Sequence, residues 1–447
     1  MTPLPLRDLV SRLKSAGRAC TLLGVGPVSE TVVRATFQAC ARHRCPAIFI
    51  ASRNQVDLVD LGHGYLMGGM DQRAFVELLQ RSATEAGYGG PLYICRDHGG
   101  PWQRNAELDG RYDLDRAMAV ARRSFQADIE AGFNYLHIDP TKCPHPHTQD
   151  DLVAWTADLV AFCETARCDA GRGEIDYEVG TEDIQGGLTT PETFEAFLRK
   201  LTDRLASEGL PPPTCVVGQT GTLCREDRNV GCFDAEGTRR LAQIAARYGI
   251  GLKEHNGDYL SAVSCRVHPE LGVTGMNVAP EFGLVETDAL LALADLEAKL
   301  VREGWLADAA ASHLRQILLE RTFAASPWKK WMTDDVRKLP PDRIATDAAT
   351  RLLIARVCGH YVYDDPAVKA ARAVLCSNLA AFHMIEEPDA SGTGFGGTGV
   401  PPVSSTGRRP VPPGEQPEAD AFILARVRAA IEFYICHFAL EGVNTLL

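Results

Sequence analysis

Two histidines and a glutamate stand out because each closes a short apolar run: His98 in CRDHGGPWQ, Glu178 in IDYEVGTE and His255 in LKEHNGDY. Imidazole nitrogen and carboxylate oxygen together suit a divalent metal ion, with coordination positions left open for substrate oxygens. Zinc fits such a mixed set first, and manganese and nickel are compatible with it. Asp97, beside His98, and Glu182, four residues past Glu178, are carboxylates able to move protons. Gln219 and Asn277 end further runs, Asn54 follows another and Asp258 lies just past His255; these supply groups for sugar hydroxyls, and Gly257 would let the backbone approach a ligand closely. His137 and Asp139, two residues apart, could orient a ligand imidazole or hold a hydroxyl. The chemistry open to this set is polarisation of a carbonyl or alkoxide by the metal while a carboxylate transfers a proton. Taken singly, each residue has a plainer reading. Asp97 could cap a helix with His98 in a turn, Glu178 could be a salt-bridged carboxylate, and His255 a satisfied rim residue. His, Glu and His at the ends of three different runs are harder to explain that way.

Those runs define the elements that must position the site. Eight apolar stretches recur along the chain, at 20–26, 46–52, 91–95, 134–139, 174–180, 214–219, 249–255 and 272–279. Strands buried on both faces of a parallel sheet read as apolar runs of this kind. Helical periodicity fills the gaps. The segment at 70–87 sets Phe75, Leu78, Leu79 and Ala83 on one face, and 113–132 does the same with Ala117, Val120, Ala121, Phe125 and Ile129. The segment at 190–209 opens on a threonine cap with proline next and closes on Gly209, and 234–249 follows the same plan. Eight strand–helix repeats predict a TIM (β/α)8 barrel, in which chemistry gathers at the C-terminal ends of the strands. In that frame His98, Glu178 and His255 end strands three, five and seven and converge on one axis.

The barrel pattern spans 1–305, and an α-helical C-terminal extension follows. Helical segments at 306–386 read as a cap, and the helix within 421–447 reads as its last element. Between them, 387–420 is rich in Gly, Pro, Ser and Thr and reads as a flexible insertion with no part in chemistry. The segment Cys143-Pro-His145-Pro-His147 could hold zinc in isolation. Its alternating prolines hold the chain extended, however, and it reads better as a loop near the barrel mouth.

Composition narrows the class. The net charge of −12 opposes a nucleic-acid groove, and no local basic cluster overcomes it. No stretch approaches the length of an apolar membrane span, and the N-terminus reads as an amphipathic helix rather than a signal peptide. The 14 cysteines include no C-x-x-C pair, which argues against a thiolate zinc site or redox dithiol and fits a cytoplasmic protein.

The segments SRNQV at 52–56, DHGGPWQ at 97–103, EAGFNYLHID at 130–139, YEVGTE at 177–182, VVGQ at 216–219, EHNGDY at 254–259 and PWKKW at 327–331 resemble one family. It is the accessory, so-called non-catalytic, subunit of class II D-tagatose-1,6-bisphosphate aldolase, a relative of class II fructose-bisphosphate aldolases and of ketose 4-epimerases. The resemblance implies Asp97 as the proton-transfer residue and His98, Glu178 and His255 as metal ligands. Gln219 stands where the true aldolases offer a histidine, a substitution typical of the accessory family. The family usually reads EAHSTDY where this chain has KEHNGDY at 253–259, and KVGPALTF where it has MNVAPEFG at 276–283. Glu281 in the latter loop would repel a phosphate, which points to a non-phosphorylated or acid-tolerant sugar. The expected activity is C4 epimerisation or aldol/retro-aldol chemistry on a ketose or ketose phosphate, in a homo-oligomer. The alternative is a non-catalytic subunit that stabilises a separate catalytic aldolase.

Overall fold

The computed structural model describes residues 4–180, 189–325, 327–382 and 418–446. All eight expected runs form strands: β1 Leu22–Val25, β2 Ala47–Ser52, β3 Leu92–Gly99, β4 Tyr135–Ile138, β5 Asp176–Gly180, β6 Cys215–Val217, β7 Gly251–Glu254 and β8 Val273–Val278. They pair in parallel and close into a barrel, with β8 completing the ring against β1. The fold is the expected TIM barrel with a C-terminal helical extension. Each strand is almost wholly buried, inside by the barrel core and outside by helices, which is why the runs are continuously apolar.

The connecting helices begin and end where the sequence signals them. Asp113 caps Leu114–Ala131 by accepting from the Arg116 N–H, and Gly132 closes that helix in the left-handed conformation. Thr190 caps Pro191–Ser207, with proline in the first turn, and Asp234 caps Ala235–Arg247. The N-terminal amphipathic segment forms Leu6–Ser15 and buries Leu6, Leu9, Val10 and Leu13. Its first turn lacks a side-chain cap of its own. The N–H groups of Leu6 and Arg7 donate instead to the Asp176 carboxylate at the start of β5, at 2.5 and 3.1 Å. Tyr93 at the start of β3 donates to Leu4 O, so the helix closes the end of the barrel opposite the strand C-termini.

Register decides which side chains share a level at the mouth. Ser52 is paired with Asp97, His137 with Glu178, and Gly24 with Asn277. The β3–β4 register shifts between Arg96 and Gly99, and within that irregularity His98 takes a left-handed φ of 44°. A bulge of this kind re-aims a side chain at a functional rim. On the outer face of β3 the buried Arg96 donates to Ala51 O at 2.9 Å, Val56 O at 2.8 Å and Asp128, which locks the turn after β2 against β3.

Two compact units emerge, Met1–Glu281 with Glu432–Leu447, and Phe282–Ile431. The first holds the barrel. The second is helical and packs Leu290, Leu293, Leu314, Leu318, Leu375, Leu379 and Ile423 into one core. Within it the PWKKW segment contributes a buried Trp328, and Trp331 Nε1 donates to the Tyr361 hydroxyl at 3.0 Å. The 387–420 insertion falls almost wholly outside the described residues.

Candidate metal centre

The ends of β3, β4 and β7 bring His98, His137 and His255 together, with one potential ligand atom from each lying within 4.8 Å of the others. Their rings contact edge to face or tilted, at centroid distances of 4.7 Å for His98–His255, 5.1 Å for His137–His255 and 5.2 Å for His98–His137.

Carboxylates claim the outer nitrogen of two of these rings. Asp139 Oδ2 lies 2.7 Å from His98 Nδ1, and Glu178 Oε1 lies 2.7 Å from His255 Nε2. If each of these nitrogens donates its proton to its carboxylate, as the network requires, the remaining nitrogens carry lone pairs. Those nitrogens, His98 Nε2 and His255 Nδ1, face each other at 3.1 Å. Two lone pairs so placed call for a cation between or beside them. His137 completes the set. Its Nδ1 faces the His98 backbone N–H at 3.3 Å, and its buried Nε2 has no hydrogen-bond partner. Burial pushes the His137 imidazole down to about 4, so it is neutral at physiological pH, the state a ligand needs. Two carboxylate-oriented imidazoles with their free nitrogens facing one point, and a third, neutral imidazole beside them, fit a divalent metal.

The charges around the cluster reinforce this. Burial alone would raise the Glu178 carboxyl, but the Lys253 ammonium and the imidazoles of His137 and His255 hold it well below the ordinary range. Lys253 Nζ sits 2.5 Å from Glu178 Oε2, and burial, which would lower the lysine, is outweighed by that carboxylate. Asp97 follows the same logic: desolvation opposes its charge, yet His98, His255 and His137 keep it ionised below its usual value. Asn277 Nδ2 donates to Asp97 Oδ1 at 3.0 Å. Room for Asn277 comes from Gly24, where a Cβ would stand 2.4 Å from Asn277 Oδ1.

The expected residues are therefore sorted by position. His98 and His255 stand in the cluster as expected. His137, expected among the substrate groups, stands with them. Glu178, expected as a ligand, bridges His255 and Lys253. Asp139 orients His98 and also accepts from the Thr141 N–H and hydroxyl, at 3.0 and 2.5 Å. Asn277 holds Asp97. Asn54 donates to Gln103 O at 3.4 Å and joins two loops. Gln219 is half-buried after β6, its backbone N–H donating to Thr189 Oγ1 at 3.0 Å. Glu182 lies outside the described residues.

Three expectations give way. Asp258 does not face a ligand: it is buried, and its Oδ1 accepts from the N–H groups of Ala279 and Glu281 at 3.0 and 2.9 Å. Gly257 approaches protein rather than ligand, since a Cβ there would meet Met276 Sδ at 2.4 Å. Glu281 is not poised against a phosphate, because its Oε2 accepts from the Tyr259 N–H at 2.5 Å and from the Tyr434 hydroxyl. The Cys143–His147 loop gathers no metal ligands: His145 Nε2 lies 3.0 Å from Tyr112 O, and His147 Nδ1 2.9 Å from His145 O. Sequence reasoning missed Lys253. The available signal was a lysine inside a buried strand, two residues before His255 and so on the same face.

Residues 6–387 match the family described as D-tagatose-1,6-bisphosphate aldolase subunit GatZ/KbaZ-like. The chain belongs to this family. Among solved structures it is similar to one titled a "probable tagatose 6 phosphate kinase" from Sinorhizobium meliloti 1021, at 20% identity and a TM-score of 0.70, over 93% of this chain and 100% of that one. The YdjI aldolase from Escherichia coli K12 aligns at 13% identity and a TM-score of 0.44, over 64% of this chain and 85% of that one. No curated protein sequence matches the chain. At these identities the structural likeness is one of fold; the family match is what places the chain among class II aldolase-like carbohydrate proteins. Among the described residues no helix is long and apolar enough to cross a membrane.

Proposed function

We propose that this GatZ/KbaZ-like protein is a metal-dependent enzyme acting on a ketose or ketose phosphate, by aldol/retro-aldol chemistry or by epimerisation at C4. The observation that carries the reading is the trio His98, His137 and His255, with an Asp97 carboxylate beside it and carboxylates on its outer nitrogens. The all-imidazole set favours zinc. When bound, the metal would supply Lewis acidity at adjacent sugar oxygens. The protein's own groups do the rest. Asp97, held by Asn277, takes the proton from the C4 hydroxyl as the C3–C4 bond breaks and its electron pair passes into the C2 carbonyl to give an enediolate. Return of that proton after the aldehyde fragment rotates and re-adds gives the C4 epimer. Asp139 and Glu178 fix the ring orientations of His98 and His255 throughout. All 14 cysteines are free thiols, which supports a reducing compartment such as the cytoplasm.

The test is metal analysis of purified protein followed by a screen of ketoses and ketose phosphates, with Asp97→Asn in parallel. The amide keeps the hydrogen bond and the fold but cannot shuttle a proton, so turnover per bound metal should drop by ~10²–10⁴. Full turnover per metal in Asp97→Asn would end the assignment of Asp97.

A second reading rests on the family's description as an aldolase subunit: the chain stabilises a separate catalytic aldolase. It is supported if the metal-loaded chain turns over nothing in the screen yet lengthens the half-life of a catalytic aldolase subunit mixed with it.

A further inference from the structure

A second group of donors lies away from the mouth, at the opposite end of the barrel. His43 ends the helix Glu30–His43, which leads from β1 back to the start of β2. The C-terminal segment returns to this point after the helix Glu418–His437. Ala439 and Gly442 take left-handed φ values of 57° and 72° and bend the chain back. Gly442 N–H then donates to His43 O at 2.8 Å, and Asn444 N–H to Arg44 O at 2.9 Å. Arg18 holds the same tail through Ala439 O and Glu441 O, at 3.0 and 2.7 Å. Glu441 and His43 are thus fixed by backbone contacts independent of their side chains.

On that frame His43 Nδ1 lies 3.1 Å from Glu441 Oε1, and Cys436 Sγ lies 3.6 Å from the same oxygen. One donor atom from each of the three falls within 4.8 Å of the others. Ligand atoms ~2.0–2.3 Å from a tetrahedral zinc ion stand roughly 3.3–3.6 Å apart. The two separations that meet at Glu441 Oε1 are close to edges of such a tetrahedron. The outer ring nitrogen, His43 Nε2, is buried without a hydrogen-bond partner, and Glu432 Oε1, which also takes Arg42 Nη1 at 3.4 Å, lies 3.6 Å from it. A carboxylate behind an imidazole is the arrangement that turns the opposite nitrogen toward a metal. Cys436 and Glu441 are exposed, so an ion reaches the site from solvent.

We propose that His43, Cys436 and Glu441 form a second metal site, for a borderline-soft divalent cation of the zinc class, which fastens the C-terminal segment to the barrel. Partial burial and the Glu441 carboxylate push the Cys436 thiol up to about 11, so uptake of the ion releases the S–H proton to solvent as the thiolate ligates. The competing arrangement is a protonated His43 clasped by Glu432 and Glu441, with the thiol a bystander.

Cobalt(II) titration of the full chain separates the two. The mouth cluster offers no thiol, so a thiolate-to-cobalt charge-transfer absorption that depends on Cys436 reports the second site. The band should appear in the wild type, vanish in Cys436→Ser together with one equivalent of bound metal, and need ~10–100-fold more cobalt in Glu432→Gln. Absence of the band, or its persistence in Cys436→Ser, overturns the proposal. Unchanged metal content in Cys436→Ser would leave the protonated-histidine arrangement in place. None of these results depends on activity at the mouth, so this site and the proposed function stand or fall separately.

Discussion

Replacing Lys253 with methionine tests the electrostatic frame of the site most directly. Methionine keeps the length and apolar stem of the lysine and removes only the ammonium. Glu178 is completely buried and keeps its charge chiefly because Nζ lies 2.5 Å from Oε2. Breaking a buried pair by removing one partner costs ~3–5 kcal/mol, because the other charge is left uncompensated. His255 still reaches Oε1 at 2.7 Å, which places the expected loss toward the lower end of that range. The penalty has a sign in pH. A carboxyl held below its unfolded value stabilises the fold above that unfolded value and ceases to do so as pH falls through the folded one. In Lys253→Met that support is gone, so the gap between variant and wild type should be widest near neutrality and close only as pH falls below ~4 toward the lowered folded value. The released carboxylate can also swing into the imidazole cluster, so zinc should restore more stability to the variant than it adds to the wild type. Urea unfolding at neutral and acid pH, with zinc and with chelator, measures all three effects. The double change Lys253→Met with Glu178→Met should recover most of the stability, since apolar replacement of a buried pair is often neutral, while leaving His255 without its orienting carboxylate and weakening metal binding ~10–100-fold. A Lys253→Met protein as stable as wild type at neutral pH, with an unchanged pH profile, would refute the pairing and the role it gives Glu178.

Further expectations follow from neighbouring contacts. His98→Ala with His255→Ala should remove the mouth metal while the second site keeps its own; mouth metal retained in that variant, by total metal analysis in a Cys436→Ser background, would rule the cluster out. Tyr434→Phe should cost ~1–3 kcal/mol in chemical unfolding, because the hydroxyl's one proton lies between Gly257 O at 3.0 Å and the buried Glu281 carboxyl, and both lose it. Asp258→Asn should stabilise the protein at pH 8 and change little at pH 4. Burial, aided by Glu281, pushes the Asp258 carboxyl up to about 7, so its contribution is intact below the unfolded value of ~4 and is lost as pH rises through about 7. The amide oxygen can still accept from Ala279 and Glu281, so equal destabilisation at both pH values would contradict the assignment.

The barrel was legible because its physics is local and repetitive. Strands enclosed on both sides must be apolar throughout, and capped helices between them announce their ends, as Asp113 and Gly132 do. The candidate site was legible to the level of which strand ends come together. The division of labour within it was not. Side chains two apart on a strand share a face, so His137 and Asp139 were equally available to ligand, carboxylate or sugar roles. Register then set His137 beside Glu178, and the shift between Arg96 and Gly99 turned His98 toward Asp139. Neither can be read from residue types. Lys253 left a trace, a charge within a buried run, but its partner sits 75 positions away. Tyr434 on Gly257, and the C-terminal tail on His43, join positions remote in sequence, where periodicity carries no information.

The charges enclosed beneath the mouth bear on whether the chain acts or only supports. Asp97, Asp139, Glu178 and Lys253 are all buried, and His137 is buried with a nitrogen unpartnered. Burying such groups is costly even when they are paired, and apolar side chains of similar size would hold a barrel at least as well. A protein whose task was only to brace a partner would do so through its outer surface, and nothing in that task needs an ionised interior. The groups are also not arranged as a generic ion-pair network. Each carboxylate that touches an imidazole takes its outer nitrogen, which leaves the inner nitrogens of His98 and His255 facing one point, and Asp97 is held apart from that exchange by a neutral amide. An ammonium then fixes one orienting carboxylate from behind. That ordering does little for stability and suits a cation beside a transferable proton, which is why the catalytic reading is proposed ahead of the supporting one.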